Sequence, residues 1–217
     1  MTQTKDKAAA APKQKRAQIT RDKICEATIR LLGQGGAKAV TNRAVAKLAG
    51  VSLASTTYHF REREELLTGA FDWLIDSYIT SDRSQLDAEL GPEPTIDTLV
   101  QYLTLVSRQG TDRDDDRMMI CAWYEFMVEA SRNPEIQATA DRWYRETCTH
   151  YQQILEHARS RSPADDARRL LDFLIGYEMM SLATRTRPFD RRGIEATYRR
   201  FVASLFGPRN GTAEAAR

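Results

Sequence analysis

Residues 49–60 read AGVSLASTTYHF, and this stretch decides the fold. Gly50 separates two short helical segments, and Ser52 is placed to cap the second of them. Two helices joined by so short a turn can cross at a steep angle only where their contact is small. Ala46 and Ala49 keep the first helix slim, and Gly50 can adopt the positive φ angle that the turn needs. The pattern predicts a helix–turn–helix unit.

The second helix of this unit, at about 53–59, has little bulk and little charge. Thr56 and Phe60 are four residues apart, so they are predicted to point together into a small core. The major groove of B-DNA admits a helix with small side chains, and hydroxyl and methyl groups can contact base edges there. The residues predicted to face outward are Leu53, Ala54, Thr57 and Tyr58, with Ser55 at the edge. This composition favours a helix that enters DNA.

The net charge of +2 conceals a basic head on an acidic body. Residues 1–60 carry 11 Lys or Arg and 3 Asp or Glu, whereas residues 61–217 carry 21 and 27. A basic head on an acidic body is suited to contact with a polyanion through the head alone. Arg43 and Arg63 begin helices, where side chains and amide N–H groups can both reach phosphates. The alternative is a basic tail without a partner, which does not account for the basic residues beyond the N-terminal arm.

Helical spacing of apolar residues, broken by glycine and proline, runs through the chain, and strand-like alternation is not sustained. The predicted helices lie at about 18–34, 42–49 and 53–59, in a long fourth helix that begins at REREELL, and at about 95–109, 117–131, 134–160, 164–185 and 191–206. The predicted fold class is all-α, with about nine helices. The predicted divisions are a flexible basic arm (1–17), a helix–turn–helix DNA-binding domain (18–65), a larger helical domain (66–207) and a disordered tail (208–217).

Several function classes are disfavoured by what the sequence lacks. No apolar run approaches the roughly 18 residues that span a bilayer, and no signal-peptide core is present, so a cytoplasmic protein is expected. The cysteines, Cys25, Cys121 and Cys148, are scattered and predict reduced core thiols, with no metal and no cofactor. Because no Gly-rich phosphate loop, GxSxG or HExxH motif is present, an enzyme is not expected.

Residues 20–67 resemble the DNA-binding domain of the TetR family of bacterial transcriptional regulators. The residues that carry the resemblance are Thr41, Arg43, Val45, Ala46, the run Ala49-Gly50-Val51-Ser52, the run Tyr58-His59-Phe60, Arg63, Leu66 and Leu67. The resemblance implies a homodimer that binds a palindromic operator in double-stranded DNA, with the third helix in the major groove. It also implies a small-molecule pocket in the C-terminal region, whose occupation releases the DNA.

Carried over by position, the resemblance assigns DNA-binding roles to particular residues. Those expected to face the groove are Leu53, Ala54, Ser55, Thr57 and Tyr58, and those expected near base edges or backbone are Asn42, Arg43, His59 and Arg63. The sequence departs from the family pattern where many members have Gly or Pro in place of Ala54, Tyr in place of Thr57 and Lys in place of Arg63. The ring therefore sits one place later, and the division of contacts between Thr57 and Tyr58 stays open.

The C-terminal region is rich in rings and thioethers at helical spacing, which is typical both of plain core and of an apolar ligand pocket. The predicted pocket residues are Trp73, Tyr78, Met119, Trp123, Phe126, Met127, Trp143, Tyr144 and Tyr177. Glu125 and Glu129 lie four residues apart on the same predicted helix. They can bind a cationic ligand or, with His150 or His157, a metal. The favoured alternative is that one of them faces solvent or pairs with an arginine.

The last two predicted helices carry broad apolar stripes, as in a two-helix contribution to an isologous four-helix bundle. The residues predicted for this dimer face are Leu170, Leu171, Leu174, Ile175, Leu182, Ile194, Tyr198, Phe201, Val202 and Leu205. Intramolecular packing of both stripes is the alternative.

These patterns together predict a ligand-responsive transcriptional regulator. The favoured form is a repressor that binds a palindromic operator as a homodimer and is released by a small apolar or aromatic effector. An activator would have the same sequence features. A helical protein-interaction module with a non-specific basic head is the alternative from another class.

Overall fold

A computed structural model describes residues 3–76, 88, 90, 94–108, 114–184 and 191–206, and the elements within these ranges are all helical. The helices are α1 (Gln3–Gly35), α2 (Asn42–Ala49), α3 (Leu53–His59), α4 (Arg63–Leu74), α5 (Ile96–Arg108), α6 (Asp114–Ala130), α7 (Pro134–His157), α8 (Pro163–Ala183) and α9 (Arg191–Phe206), with a 3₁₀ turn at Ala37–Ala39. The all-α prediction is confirmed. The predicted tail at 208–217 lies outside the described residues.

Helix α1 begins earlier than the sequence predicts. It starts at Gln3 and therefore takes in most of the segment predicted as a flexible arm. This segment has no apolar face, so hydrophobic spacing gives no signal of a helix there. Its alanines, lysines and glutamines nevertheless have high intrinsic helix propensity, which is sufficient to continue the helix outward from the buried part of α1.

The chain divides into two compact units, Met1–Ser84 with Asp112–Trp143 and Gln85–Thr111 with Tyr144–Arg217. This division differs from the predicted boundary at residues 65 and 66. The reason lies in the first unit, where α1 packs against α6 as well as against α2 and α4. The helix–turn–helix elements therefore share a core with helices that were predicted to belong to the C-terminal domain.

The core of the first unit forms along one face of α1. Ile24, Thr28, Ile29 and Leu32 are all fully or almost fully buried, and the Thr28 hydroxyl is satisfied by donating to the Ile24 carbonyl at 2.8 Å. Cys25 is also buried, and burial raises the pKa of its thiol to about 12, so it stays protonated. All three cysteines are free; Cys25 is a core residue as predicted, whereas Cys121 and Cys148 are only half-buried.

Two glycines allow close packing in the first unit. Gly33 lies in the last turn of α1, and a Cβ there would be 2.2 Å from the Met118 carbonyl oxygen. Gly69 on α4 lies against the Phe60 ring, and a Cβ there would be 2.4 Å from Phe60 Cε1. At both positions a side chain would occupy space already filled, so glycine sets the distance between the packed elements.

In the second unit, α5 packs against α9. Leu99 and Leu103 of α5 are buried, as are Ile194, Tyr198 and Val202 of α9. Apolar residues at helical spacing thus form a second core.

Rings join α8 and α9 in the second unit. Phe173 of α8 stacks on Phe201 of α9, with ring centroids 4.1 Å apart and an interplanar angle of 6°. Tyr177 and Tyr198 extend this group, with centroids 6.0 Å apart. The rings of α8 and α9 therefore pack against each other within one chain.

Candidate functional site

Short-range hydrogen bonds and one glycine define the ends of α2 and α3. Thr41 Oγ1 accepts from the Ala44 amide at 3.2 Å, and Ser52 Oγ accepts from the Ser55 amide at 3.0 Å. Gly50 lies in the left-handed region with φ 66° and ends α2. The predicted caps and the predicted positive φ are confirmed, because each is a short-range effect of side-chain chemistry.

Helix α3 presents small and polar side chains outward. Thr56 is fully buried and Phe60 is 3% exposed, which confirms that both point inward. Leu53 is 47% exposed and Tyr58 is 81% exposed, so both project from the surface. Of the other predicted groove residues, Ala54 and Thr57 are exposed and Ser55 is half-buried.

The hydroxyls of Thr57 and Tyr58 differ in what they can offer a ligand. Thr57 Oγ1 donates to the carbonyls of Leu53 and Ala54, at 3.2 Å in each case. Its hydrogen is therefore used within the helix, and its free lone pairs can still accept a bond. Tyr58 extends away from the surface, so its hydroxyl can donate as well as accept.

His59 lies half-buried beside the Tyr58 ring, with centroids 5.3 Å apart in an edge-on arrangement. Burial lowers the pKa of His59 below the usual 6.5, and the nearby positive charge of Arg21 lowers it further. The imidazole is therefore neutral at pH 7. It can donate one N–H bond to a phosphate or base, but it brings no charge.

The start of α2 contributes an amide and a cation. Arg43 is exposed at the first turn, where the free N–H groups of the helix also point. Asn42 is half-buried, and its Oδ1 is buried without a hydrogen-bond partner in the described part of the chain. The position of Arg43 suits a phosphate contact, because a mobile cation and fixed amides converge there.

Arg63 is directed towards the protein. Its guanidinium donates to the Ala37 carbonyl at 2.9 Å and to Glu129 at 3.3 Å. The phosphate role was predicted for Arg63 because it begins a helix, where a cation and free amide N–H groups can both reach phosphates. The structure supplies a reason from 66 residues away, since Glu129 of α6 pairs with it. For Glu129, the alternative of pairing with an arginine is confirmed.

Four rings of the first unit form a contiguous cluster, which we call the ring cluster: Phe71, Trp123, Phe126 and Trp143. Phe71 stacks on Phe126 at 3.6 Å between centroids, and it lies 4.9 Å from Trp123. Trp123 meets Trp143 edge-on at 4.1 Å. An ion pair between Asp72 and Arg142 links α4 to α7 beside these rings.

The other predicted pocket residues do not all belong to this cluster. Trp73, Met119 and Met127 are half-buried in the first unit, and Tyr78 lies outside the described residues. Tyr144 and Tyr177 belong to the second unit. There the Tyr144 hydroxyl donates to Asp172 at 3.5 Å, and burial, followed by the neighbouring Cys148, raises its pKa.

The predicted dimer face needs correction. Six of its residues are buried inside the single chain: Leu170, Leu171, Leu174, Ile194, Tyr198 and Val202. For these six the intramolecular alternative describes the structure, because their stripes form the core of the second unit. Ile175, Leu182, Phe201 and Leu205 are half-buried. The outward face of α8 instead presents Gly176, Met179, Met180 and Ala183.

Sequence reasoning missed two functional candidates. Phe71 was not among the predicted pocket residues, although its stacking on Phe126 places it within the ring cluster. The Arg63–Glu129 pair was not foreseen as a link between the two helices. The sequence did contain one indication of the pair. Glu129 lies on an otherwise apolar helix, and a carboxylate that is largely buried needs a charged partner.

Comparison with known proteins agrees with this geometry. Residues 24–70 match the profile described as "Bacterial regulatory proteins, tetR family", and residues 90–207 match "Tetracyclin repressor-like, C-terminal domain". The chain belongs to the TetR family. TetR-family membership makes it a DNA-binding transcriptional regulator, with α2 and α3 as its helix–turn–helix.

Individual proteins also resemble this chain in sequence and in structure. The HTH-type transcriptional regulator BetI of Rhizobium meliloti is 25% identical over 154 residues, which is 71% of each chain. A putative TetR-family regulator from Rhodococcus sp. superposes with a TM-score of 0.71 at 20% identity, covering 88% of this chain and 100% of the other. The multidrug binding protein EbrR, solved with ethidium, gives a TM-score of 0.64 at 27% identity, covering 84% and 98%.

Two further properties concern the described residues. Among them, no helix is both long enough and apolar enough to cross a membrane. Within the same ranges, no three His, Cys, Asp or Glu side chains converge in the way that metal ligands do.

Proposed function

We propose that this TetR-family chain is a ligand-responsive repressor that acts in the cytoplasm and binds a palindromic operator as a homodimer. The observation that carries the proposal is the outward face of α3, where Tyr58 is 81% exposed and small neighbours let the helix backbone approach DNA. The caps at Thr41 and Ser52 define where α2 and α3 begin. A regulatory protein of this kind needs no catalytic residues, and we assign it none.

Selection of bound duplexes from a random DNA library by the full-length protein tests the operator. Enrichment of a palindrome with half-sites about one helical turn apart, roughly 34–36 Å, is expected. Weak, salt-sensitive binding to all sequences would instead support a non-specific basic head on an interaction module. A reporter gene driven by the enriched operator then distinguishes repression from activation, because a repressor lowers transcription and an activator raises it.

Matched variants test the roles of individual groups in DNA binding. Arg43→Ala should weaken binding to all sequences and reduce the salt dependence of affinity by about one phosphate contact. Tyr58→Phe keeps the ring but removes the hydroxyl, so it should reduce affinity for the selected operator. Arg161→Ala removes an exposed cation from the second unit and serves as the control. An unchanged salt slope for Arg43→Ala would contradict the phosphate role.

We place the contact between the two protomers of the proposed homodimer on the outward face of α8. Gly176 has no atom within 4 Å of an added Cβ, Met179 is 37% exposed and Met180 is 48% exposed, so this face is apolar and unfilled within the chain. Met180→Glu should dissociate the dimer in sedimentation experiments, because a carboxylate would be buried without a partner. Val128→Glu, at an apolar position of α6 that is 41% exposed, is the matched control and should leave the dimer intact.

The effector is proposed to be a small apolar or aromatic molecule that binds at the ring cluster. Helix α6 carries Trp123 and Phe126 of that cluster and also carries Glu129, which holds Arg63 at the start of α4. The related EbrR was solved with ethidium, a flat aromatic cation, which supports an aromatic effector but not its charge. An effector can release DNA only to the extent that it binds the released state more tightly. Titration of effector candidates into the operator complex measures that difference directly.

A further inference from the structure

Trp143 carries a buried hydrogen-bond donor without an acceptor. The residue is 8% exposed, and its indole Nε1 has no hydrogen-bond partner in the described part of the chain. Buried indole N–H groups usually find a partner, because an unsatisfied donor costs on the order of 1–3 kcal/mol. A donor in this condition calls for an acceptor that the chain itself does not provide.

The surroundings of this donor are aromatic. Trp143 meets Trp123 edge-on, and Trp123 continues to Phe71 and Phe126 through ring contacts. The unsatisfied N–H group therefore belongs to a cluster whose other members, Phe71, Trp123 and Phe126, offer ring surfaces. An apolar, aromatic lining with a few placed polar groups is how proteins build sites for small molecules.

The chemistry of the cluster selects among ligands. Its four side chains carry no formal charge, and Arg142 beside them already pairs with Asp72, so a buried anion would lose its hydration without gaining an unpaired cation. A cation would gain from the ring faces but would meet the positive end of the indole N–H. A flat neutral molecule gains from ring contact and can also satisfy the donor, provided that it carries an acceptor at its edge.

We propose that Trp143 Nε1 is the specificity-determining donor of the effector site, and that the site takes a neutral aromatic ligand with a hydrogen-bond acceptor at its edge. The proposal rests on the proposed function in that it places the effector at the ring cluster. It goes further by naming the atom that recognises the ligand and by disfavouring cationic ligands.

Three probes of similar size and shape test this chemistry on the full-length protein. Quinoline has a ring nitrogen that accepts a hydrogen bond, naphthalene has none, and N-methylquinolinium is a cation without an acceptor. Equilibrium dialysis gives the three dissociation constants. Quinoline should bind about five- to tenfold more tightly than naphthalene, as expected for one neutral hydrogen bond to a buried donor. It should also bind more tightly than N-methylquinolinium.

The variant Trp143→Phe keeps a ring and removes the N–H group. It should weaken quinoline binding to the level of naphthalene while leaving naphthalene within about threefold of the wild type. Tyr102→Phe, which removes a ring hydroxyl in the second unit, is the control and should preserve the preference for quinoline. If Trp143→Phe retains that preference, the proposal is wrong.

Nuclear magnetic resonance of the wild type gives a readout that does not depend on the folding of a variant. The protein has three tryptophans, so ¹⁵N-labelled tryptophan gives three indole signals. One of them, assigned to Trp143 by comparison with Trp73→Phe and Trp123→Phe, should shift on addition of quinoline but much less with naphthalene. Equal responses to both probes, tighter binding of N-methylquinolinium, or no binding of any probe would each overturn the proposal.

These outcomes are separable from the fate of the proposed function. Duplex selection uses DNA and no aromatic probe, so a repressor with a different effector site would still enrich its operator while failing the quinoline test. A protein that prefers quinoline but enriches no DNA sequence would retain the Trp143 site and lose the regulatory role.

Discussion

Gly33→Ala is the sharpest test of how α1 meets α6. Alanine is favoured over glycine inside a helix by about 1 kcal/mol, so this substitution would stabilise α1 if nothing lay beside it. The structure places the Met118 carbonyl oxygen 2.2 Å and the Met118 carbonyl carbon 3.0 Å from the added Cβ. Carbon atoms in contact lie about 3.5–4.0 Å apart, so the two helices would have to separate by roughly 1 Å.

The clash at position 33 should outweigh the gain in helix propensity. The carbonyl oxygen and carbon of Met118 belong to backbone, which cannot turn aside in the way that the nearby Met118 side chain can. Overpacking of a core typically costs about 1–3 kcal/mol, and the backbone contact places Gly33→Ala towards the upper part of this range. After subtraction of the propensity term, we expect the free energy of unfolding to fall by about 1–2 kcal/mol. In a protein of this size that corresponds to a fall in Tm of about 2–8 °C.

Urea unfolding followed by circular dichroism measures the effect of Gly33→Ala at a fixed protomer concentration. A fixed concentration is needed because self-association would itself change the apparent stability. Gln34→Ala is the control, since Gln34 is exposed on the next position of α1 and its loss should change stability by less than about 0.5 kcal/mol. If Gly33→Ala were as stable as the wild type, or more stable, the close approach to Met118 would be refuted.

Three further outcomes follow from single contacts. Gly50→Ala should lower the free energy of unfolding, measured in urea, by about 1–2 kcal/mol, because φ at this turn is 66° and only glycine adopts it without strain. Gly50→Asn should lower it by less. His59 should titrate below 6.5 by NMR, and Arg21→Gln should raise its pKa only in part, because burial is the larger cause. The unfolded imidazole then takes up a proton near pH 6.5 while the folded one does not, so stability should fall as pH drops below 6.5, and His59→Gln should remove that contribution. A double-mutant cycle of Arg63→Ala and Glu129→Ala should give a coupling free energy of about 0.5–1 kcal/mol. The value is small because the two side chains remain 37% and 20% exposed to solvent. A coupling of zero would show that the ion pair contributes nothing to stability.

The parts of the fold that the sequence predicts correctly are those set by neighbours in the chain. Thr41, Gly50 and Ser52 act within four residues of their own positions, so their roles follow from side-chain chemistry alone. The inward direction of Thr56 and Phe60 follows from the helical period. The helix–turn–helix is therefore predictable from the local sequence, because no distant partner is needed to form it.

The parts that could not be predicted depend on partners far along the chain. Arg63 has its carboxylate partner on α6, and no local pattern reveals that distance. Helix α8 could not be oriented because it is apolar on two sides. Leu170 and Leu174 face the core, whereas Met179 and Met180 lie on the exposed side. Where both faces of a helix are apolar, hydrophobic spacing cannot tell which one meets its own chain.

Helix α6 shows why its sequence has carboxylates among apolar residues. Met118, Glu125 and Glu129 lie on one side of the helix, spaced seven and four residues apart. They contact, in the same order, Gly33, Gly36 and Arg63, which belong to the DNA-binding head (residues 18–65). Trp123 and Phe126 project from another side into the ring cluster. A rigid helix with two such faces cannot move at one without moving at the other, because a packed interior does not absorb displacements of this kind. Occupation of the ring cluster would thus alter the support beneath the DNA-binding head without any contact between effector and DNA.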